Sequence, residues 1–220
     1  MDLARDGARL HTTALDEATL GVIKSALSGL PPDKAGIRLT GVAALNAHLA
    51  VDGVIGAVAA SVLGGHAKPV RAILFDKAAR TNWKLGWHQD RTIVVKRRVE
   101  AAGFCPWSIK AGLQHVAPPY QLLAEMATLR VHLDDVGPGN APLLIAPGSH
   151  RLGRIAEPDI DSAVQSCGTL ACLALAGDIW VYATPILHAS EAAVSPTRRR
   201  VLQIDYCARD LPAGLEWLGV

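Results

Sequence analysis

From Val70 onward the sequence breaks into short runs of β-branched and aliphatic residues separated by Pro and Gly clusters. That texture restricts the fold more than any other feature. Residues 70–75, 92–96, 128–134, 143–146, 170–175, 178–182 and 199–207 each read as a strand, and Val136-Gly137-Pro138-Gly139-Asn140 and Pro147-Gly148 are among the breaks between them. Many short strands with frequent turns predict a β-sandwich or jelly-roll. The stretch before them reads differently. Residues 15–30 place Leu15, Ala18, Val22 and Ala26 at helical spacing, with Asp16 and Glu17 in the first turn, where the helix dipole favours acids. Gly29 and Pro31-Pro32 stop that helix. Residues 42–63 repeat the pattern with Leu45, Leu49, Val51, Ile55, Val58 and Val62, and Gly64-Gly65 ends it. The expected fold is mainly β with flanking helices (α+β). A largely helical segment, 1–66, packs on one sheet of a cupin-like double-stranded β-helix, 67–220, and together they form one domain over 1–220. Neither an internal repeat nor a linker interrupts it.

Composition bounds the function. At 220 residues with 50% hydrophobic content the chain can bury a sizeable core. A net charge of +2, with basic residues scattered except at Arg198-Arg199-Arg200, argues against a nucleic-acid partner. Residues 42–63 are the longest apolar segment, and Asn46, His48 and Asp52 interrupt it, so a buried helix is expected and not a membrane span. The charged N-terminus lacks the apolar region of a signal peptide. Cys105, Cys167, Cys172 and Cys207 show no C-x-x-C spacing, which suits reduced thiols in a cytoplasmic protein. Monomer and homodimer both remain compatible with the composition.

Trp87-His88-Gln89-Asp90 is the stretch that carries chemistry. In an extended strand residues two apart share a face, so His88 and Asp90 project side by side. An imidazole beside a carboxylate is two-thirds of the 2-His-1-carboxylate triad that binds non-haem Fe(II) with open coordination positions. The third ligand must be a later histidine. His11, His48 and His66 fall in the helical region and read as surface or capping residues. His132 lies in a strand whose one face carries Arg130, His132 and Asp134. His150 follows Pro147-Gly148-Ser149 and reads as closing a turn. His188 follows a strand and a Pro185 bend and stands eleven residues before Arg199.

With these segments together, the chain resembles the phytanoyl-CoA dioxygenase family of Fe(II)- and 2-oxoglutarate-dependent oxygenases. The resemblance is carried by Trp87-His88-Gln89-Asp90, Ala146-Pro147-Gly148-Ser149-His150-Arg151, Gly177-Asp178-Ile179-Trp180, and Leu187-His188-Ala189-Ser190 leading to Arg198-Arg199-Arg200-Val201-Leu202. It implies His88, Asp90 and His188 as Fe(II) ligands. It implies Arg199 as the partner of 2-oxoglutarate, with Ser190 assisting. It also brings Trp107, in Phe104-Cys105-Pro106-Trp107, near where some members place an aromatic beside the cosubstrate. The implied reaction consumes 2-oxoglutarate and O₂, releases succinate and CO₂, and by default hydroxylates a small or medium-sized metabolite. Because Asp90 is present, no ligand position is spare for a halide.

Residue alternation supports Arg199 among the three arginines. Arg200, Leu202, Ile204 and Tyr206 share the face expected under the helices, while Arg199, Val201, Gln203 and Asp205 share the face turned to the cavity. A guanidinium also forms a planar bidentate pair with a carboxylate. Lys110, Gln114 and His115, in a loop-like stretch over 108–119, are candidates to wall the substrate pocket, together with Arg130. Arg71 and Lys77 could each reach a carboxylate. No phosphate-cradling glycine loop suggests coenzyme A. Two other readings remain: a non-catalytic jelly-roll binding or regulatory module, and a cupin-like metalloenzyme that does not use 2-oxoglutarate. Succinate release distinguishes the first, and an Arg199 substitution the second.

Overall fold

The computed structural model describes residues 1–31 and 34–220. The second proline of the Pro31-Pro32 stop lies outside the described residues. Strands are β1 (Ala8–His11), β2 (Gly36–Leu39), β3 (Lys68–Lys77), β4 (Leu85–His88), β5 (Ile93–Val95), β6 (Trp107–Lys110), β7 (Leu113–Val116), β8 (Met126–His132), β9 (Leu143–Ile145), β10 (Leu170–Cys172), β11 (Ile179–Ala183), β12 (His188–Ser190) and β13 (Arg199–Cys207). A major sheet runs β1-β11-β8-β13-β3-β2, a minor sheet β10-β9-β12-β4, and a small third sheet β5-β7-β6. The described pairings are antiparallel. This is the expected jelly-roll.

Four helices precede or interrupt the first strands: α1 (Leu3–Asp6), α2 (Glu17–Ala26), α3 (Ala43–Leu49) and α4 (Val54–Leu63). Asp16 caps α2, its side chain accepting from the Thr19 amide at 2.8 Å, so it sits just outside the first turn. The single helix expected over 42–63 is two. Ala50 is extended at the end of α3, and the chain turns through Gly53 before α4 begins, with a bend of 45°. A Cβ on Gly53 would fall 2.1 Å from the Ala47 carbonyl oxygen, so only glycine permits this close approach. No single helix is long and apolar enough to cross a membrane.

The expectation that 1–66 is largely helical misses two strands. β1 and β2 form both edges of the major sheet, β1 on β11 and β2 on β3. Each has only four residues, with two apolar positions in alternation, and its backbone is paired by a longer neighbour. His11 therefore lies in a strand, not a helix. The stretch over 108–119 is also not a loop. β6 and β7 form a hairpin there, with Trp107 opposite Val116 and Ser108 opposite His115.

Alternation divides the major sheet into two unlike faces. Ala72, Leu74, Leu129, Val131, Ile179, Val181, Leu202, Ile204 and Tyr206 pack against Leu20, Ile23, Leu45, Leu49 and Ile55 of the helices. The Tyr206 hydroxyl donates to the Leu49 carbonyl at 3.0 Å. The other face is polar: Arg71, Lys77, Thr128, Arg130, His132, Arg199, Gln203 and Asp205 stand there. Near the β1 edge, Trp180 and Tyr182 close that side against Leu143 and Ile145 of the minor sheet. Buried charge at this density signals a site and not a scaffold.

His132 is 1% exposed, and neither ring nitrogen has a partner. Burial, reinforced by Arg130 and Arg199, pushes its pKa down to about 3. The folded state therefore holds His132 neutral, while the unfolded chain takes up a proton below about pH 6.5. Stability contributed this way is present above that pH and is lost on acidification. The native-to-unfolded difference at pH 5 is about 2 kcal/mol for this residue. Thermal melts of His132→Gln should show a smaller loss of stability between pH 7 and pH 5 than wild type; equal losses would place the acid sensitivity elsewhere.

Candidate metal and cosubstrate site

β4 and β12 lie side by side in the minor sheet, with His188 directly opposite His88. Their ring centroids are 4.2 Å apart, with planes inclined at 56°. Asp90 follows β4 by two residues, so its carboxylate turns toward the same side as His88. One ligand atom from each of His88, Asp90 and His188 lies within 4.8 Å of the others. The three residues can thus hold one metal ion.

The hydrogen bonds fix the tautomers that such a site needs. His88 Nδ1 is 2.8 Å from the Gly86 carbonyl, and His188 Nδ1 is 3.0 Å from the Ile186 carbonyl. A carbonyl only accepts, so each Nδ1 carries the proton and each Nε2 keeps its lone pair. Burial, against the attraction of Asp90, pushes the His188 pKa down to about 4, so it is neutral near pH 7. Burial alone would raise the Asp90 pKa, but Arg71 and the two histidines outweigh it and hold Asp90 below the usual carboxylate range. The donor set is two imidazoles, each with its Nδ1 turned to a backbone carbonyl, and one carboxylate, the set that suits non-haem iron.

Arg71 secures the carboxylate. Its guanidinium donates to Asp205 at 2.5 Å and to Asp90 at 3.5 Å. Thr128 donates to the other Asp205 oxygen at 3.1 Å. Gln89, between the two candidate ligands, bonds to backbone. It is buried, its amide donates to the Gly153 carbonyl at 3.0 Å and the Pro185 carbonyl at 2.8 Å, and its oxygen accepts from the Ile155 amide at 3.0 Å. One side chain thus ties the first ligand strand to the backbone just ahead of His188. The sequence pattern gave no sign of this role.

The three consecutive arginines have separate fates. Arg198 donates to Asp76, at 2.8 Å from Nη2, and its side chain is 54% exposed. Arg200 donates to Asp134 at 2.7 Å. Arg199 is 2% exposed, has no carboxylate partner among the described residues, and leaves its Nε without a hydrogen bond. Burial, with Arg130 nearby, pushes its pKa down to about 9. An unpaired buried guanidinium is expensive unless an anion arrives, and the distal carboxylate of 2-oxoglutarate fits that need.

Arg199, Arg130, Ser190, Lys110, His115 and the metal-triad residues line one cavity of about 520 Å³. Lys77 stands opposite Arg199 in the register of β3 and β13. Its ammonium donates to the Ser190 hydroxyl at 3.2 Å and the Glu191 carbonyl at 2.6 Å. Arg130 donates to Gln203 at 2.8 Å and lies over Phe75 at 5.4 Å. Trp107 is a correction. It packs at the margin of a separate core with Ile93, Val95, Phe104 and Val116, under Arg98, and does not line the cavity. Gln114 does not line it either. The aromatic lining comes instead from Phe75 and Trp83, and Arg38 on β2 joins it. Sequence reasoning passed over Arg38 because its strand was not recognised.

Replacing Gln89 with Leu would strand two buried backbone groups, at Pro185 and Ile155, each costing roughly 1–3 kcal/mol, and a half-buried one at Gly153. Gln89→Leu should lower the melting temperature by several degrees and weaken metal binding roughly 10- to 100-fold. Differential scanning fluorimetry and a Co(II) titration would check this; wild-type values for both would show the staple to be idle.

A family model, phytanoyl-CoA dioxygenase (PhyH), matches residues 33–201. No curated protein sequence matches the chain. Several solved structures share the fold. EctD from S. alaskensis in its apoform aligns over 99% of this chain and 78% of its own, with a TM-score of 0.71 and 18% identity. HygX from Streptomyces hygroscopicus with nickel and 2-oxoglutarate bound aligns over 96% and 88%, with a TM-score of 0.62 and 15% identity. AviO1 from Streptomyces viridochromogenes Tue57 aligns over 96% and 92%, with a TM-score of 0.62 and 18% identity. The family match spans well over half of the sequence and contains the metal triad and Arg199, and on that ground the chain belongs to the phytanoyl-CoA dioxygenase family of non-haem Fe(II)- and 2-oxoglutarate-dependent oxygenases.

Proposed function

We propose that His88, Asp90 and His188 seat Fe(II), and that Arg199, with Ser190 and Lys77, seats the distal carboxylate of 2-oxoglutarate in an enzyme that oxidises a small molecule. The observation that carries this reading is the pairing of a two-histidine, one-carboxylate donor set with a buried, unpaired arginine in the same cavity. Structures of EctD with 2-oxoglutarate and 5-hydroxyectoine, and of HygX with nickel, 2-oxoglutarate and hygromycin B, support a small-molecule substrate.

Bound Fe(II) and 2-oxoglutarate supply, with O₂, an oxidative decarboxylation to succinate and CO₂ coupled to oxidation of a substrate C–H bond. The protein's own residues do the rest. His88 and His188 present lone pairs because Gly86 and Ile186 hold their protons on the far nitrogens. Arg71 keeps Asp90 ionised and limits its rotation. Arg199 orients the cosubstrate by a directional ion pair, and the surrounding cavity walls restrict water. The cavity of about 520 Å³ is within the usual range for small-molecule sites. Hydroxylation is the default outcome of this chemistry.

Anaerobic titration of the Fe(II)-loaded protein with 2-oxoglutarate should develop the weak visible charge-transfer band of a chelated keto acid. Arg199→Ala should weaken cosubstrate binding by roughly 100-fold or more, the cost of removing a desolvated charge-assisted pair. Arg198→Ala, which removes a side chain outside the cavity but leaves the buried Asp76 carboxylate unpaired, should cost stability yet bind 2-oxoglutarate within about threefold of wild type. Metal binding without any band would favour a metalloenzyme that does not use 2-oxoglutarate.

A further inference from the structure

The cavity holds a second set of cations that the cosubstrate does not use. Arg38 on β2 faces Ile73 on β3, and Ile73 faces Gln203 on β13. Arg199 faces Lys77, four positions away along β3. At about 3.3 Å per residue the two stations are about 13 Å apart along the sheet. A diacid whose keto-acid end chelates the metal and whose distal carboxylate sits on Arg199 has no group left for Arg38. Lys110, at the end of β6, and His115, on β7, complete the second station, and both line the same cavity.

None of these groups is satisfied by the protein. Among the described residues Arg38 and Lys110 form no ion pair and donate no side-chain hydrogen bond, and the buried Nε of Arg38 is without a partner. His115 is 1% exposed, and both its ring nitrogens lack partners. Of the other cations lining the cavity, Arg71 is matched by Asp205 and Asp90, Arg91 reaches Glu157 at 3.8 Å, and Arg130, without a carboxylate, donates to Gln203 at 2.8 Å and lies over Phe75. A buried imidazole with two idle nitrogens, in the field of Arg38 and of the exposed Lys110, lacks one thing, an acceptor that carries negative charge.

We infer that the substrate carries a carboxylate, which Arg38 and Lys110 bind and to which His115 donates a hydrogen bond. This rests on the reading of the cavity as the oxidation site. A carboxylate suits the station better than a phosphate, because the walls here are strands and no helix N-terminus contributes amides. Burial, with Lys110, Arg38 and Arg71 nearby, pushes the His115 pKa down to about 4, so the ring enters the complex neutral, as donor on one nitrogen. The acid is held away from the Arg199 seat, which prevents the substrate from displacing the cosubstrate.

The test uses calorimetry on the full chain, anaerobic with Fe(II) and saturating 2-oxoglutarate, and again without metal or cosubstrate. The probes are acetate, butanoate, benzoate and 3-phenylpropanoate, each beside its primary amide. At least one acid should bind about tenfold or more tightly than its amide, as expected for a charge-assisted contact. Arg38→Gln/Lys110→Gln should reduce that ratio to about twofold or less, and the exposed single change Lys110→Gln should reduce it partway without loss of fold. Arg199→Ala should leave the ratio intact in the metal-free protein. Equal binding of acids and amides, a ratio that survives the double substitution in a folded protein, or a ratio lost in Arg199→Ala would each overturn the inference. Failure of the Fe(II)/2-oxoglutarate reading looks different: the visible band is absent while the acid preference persists without metal.

Discussion

The site depends on one pairing, the antiparallel contact of β4 with β12 that sets His188 opposite His88. Residues 100 apart in sequence reach hydrogen-bonded strand neighbours, and their imidazoles then converge without further adjustment. Both strands are very short, four and three residues, so backbone pairing alone fixes their register weakly. The missing constraint comes from Gln89, which clamps the chain at Pro185, Gly153 and Ile155. The H-x-D motif thus carries two kinds of residue: His88 and Asp90 as candidate ligands, and the residue between them as the tie that holds their geometry.

The major sheet pays for this site with an inner face of buried charge. Its helix-covered side is continuous apolar packing, which carries the stability. The inner side sets Arg71, Arg130 and Arg199 in a low-dielectric space where only Arg71 has carboxylate partners. Such an arrangement is unfavourable in the protein alone. It becomes favourable when anions enter, so affinity for acidic ligands is drawn from the strain of the unliganded state. Burial, with the same positive field added to it, keeps His115, His132 and His188 neutral.

Much of this was legible in the residues. The H-x-D spacing, the later histidine and the face shared by Arg199, Gln203 and Asp205 follow from strand alternation, and β13 runs as expected over Arg199–Cys207. What was hidden has physical causes. β1 and β2 are too short for their two alternating apolar residues each to stand out, and their pairing is supplied by β11 and β3. The β6–β7 hairpin was obscured by polar residues that face the cavity, such as His115. Arg38 could not be placed without its strand. The break between α3 and α4 was obscured by apolar spacing that continues across it. Trp107 misled because an aromatic near a motif and an aromatic in a core look alike in one dimension.

A crystal structure of the anaerobic protein with Fe(II) and 2-oxoglutarate, read through the iron anomalous signal, tests the central claim most directly. The account predicts one iron peak bonded to His88 Nε2, His188 Nε2 and the Asp90 carboxylate, with the cosubstrate's distal carboxylate on Arg199. An iron peak away from these three residues, or 2-oxoglutarate bound with its distal carboxylate elsewhere than Arg199, would contradict it.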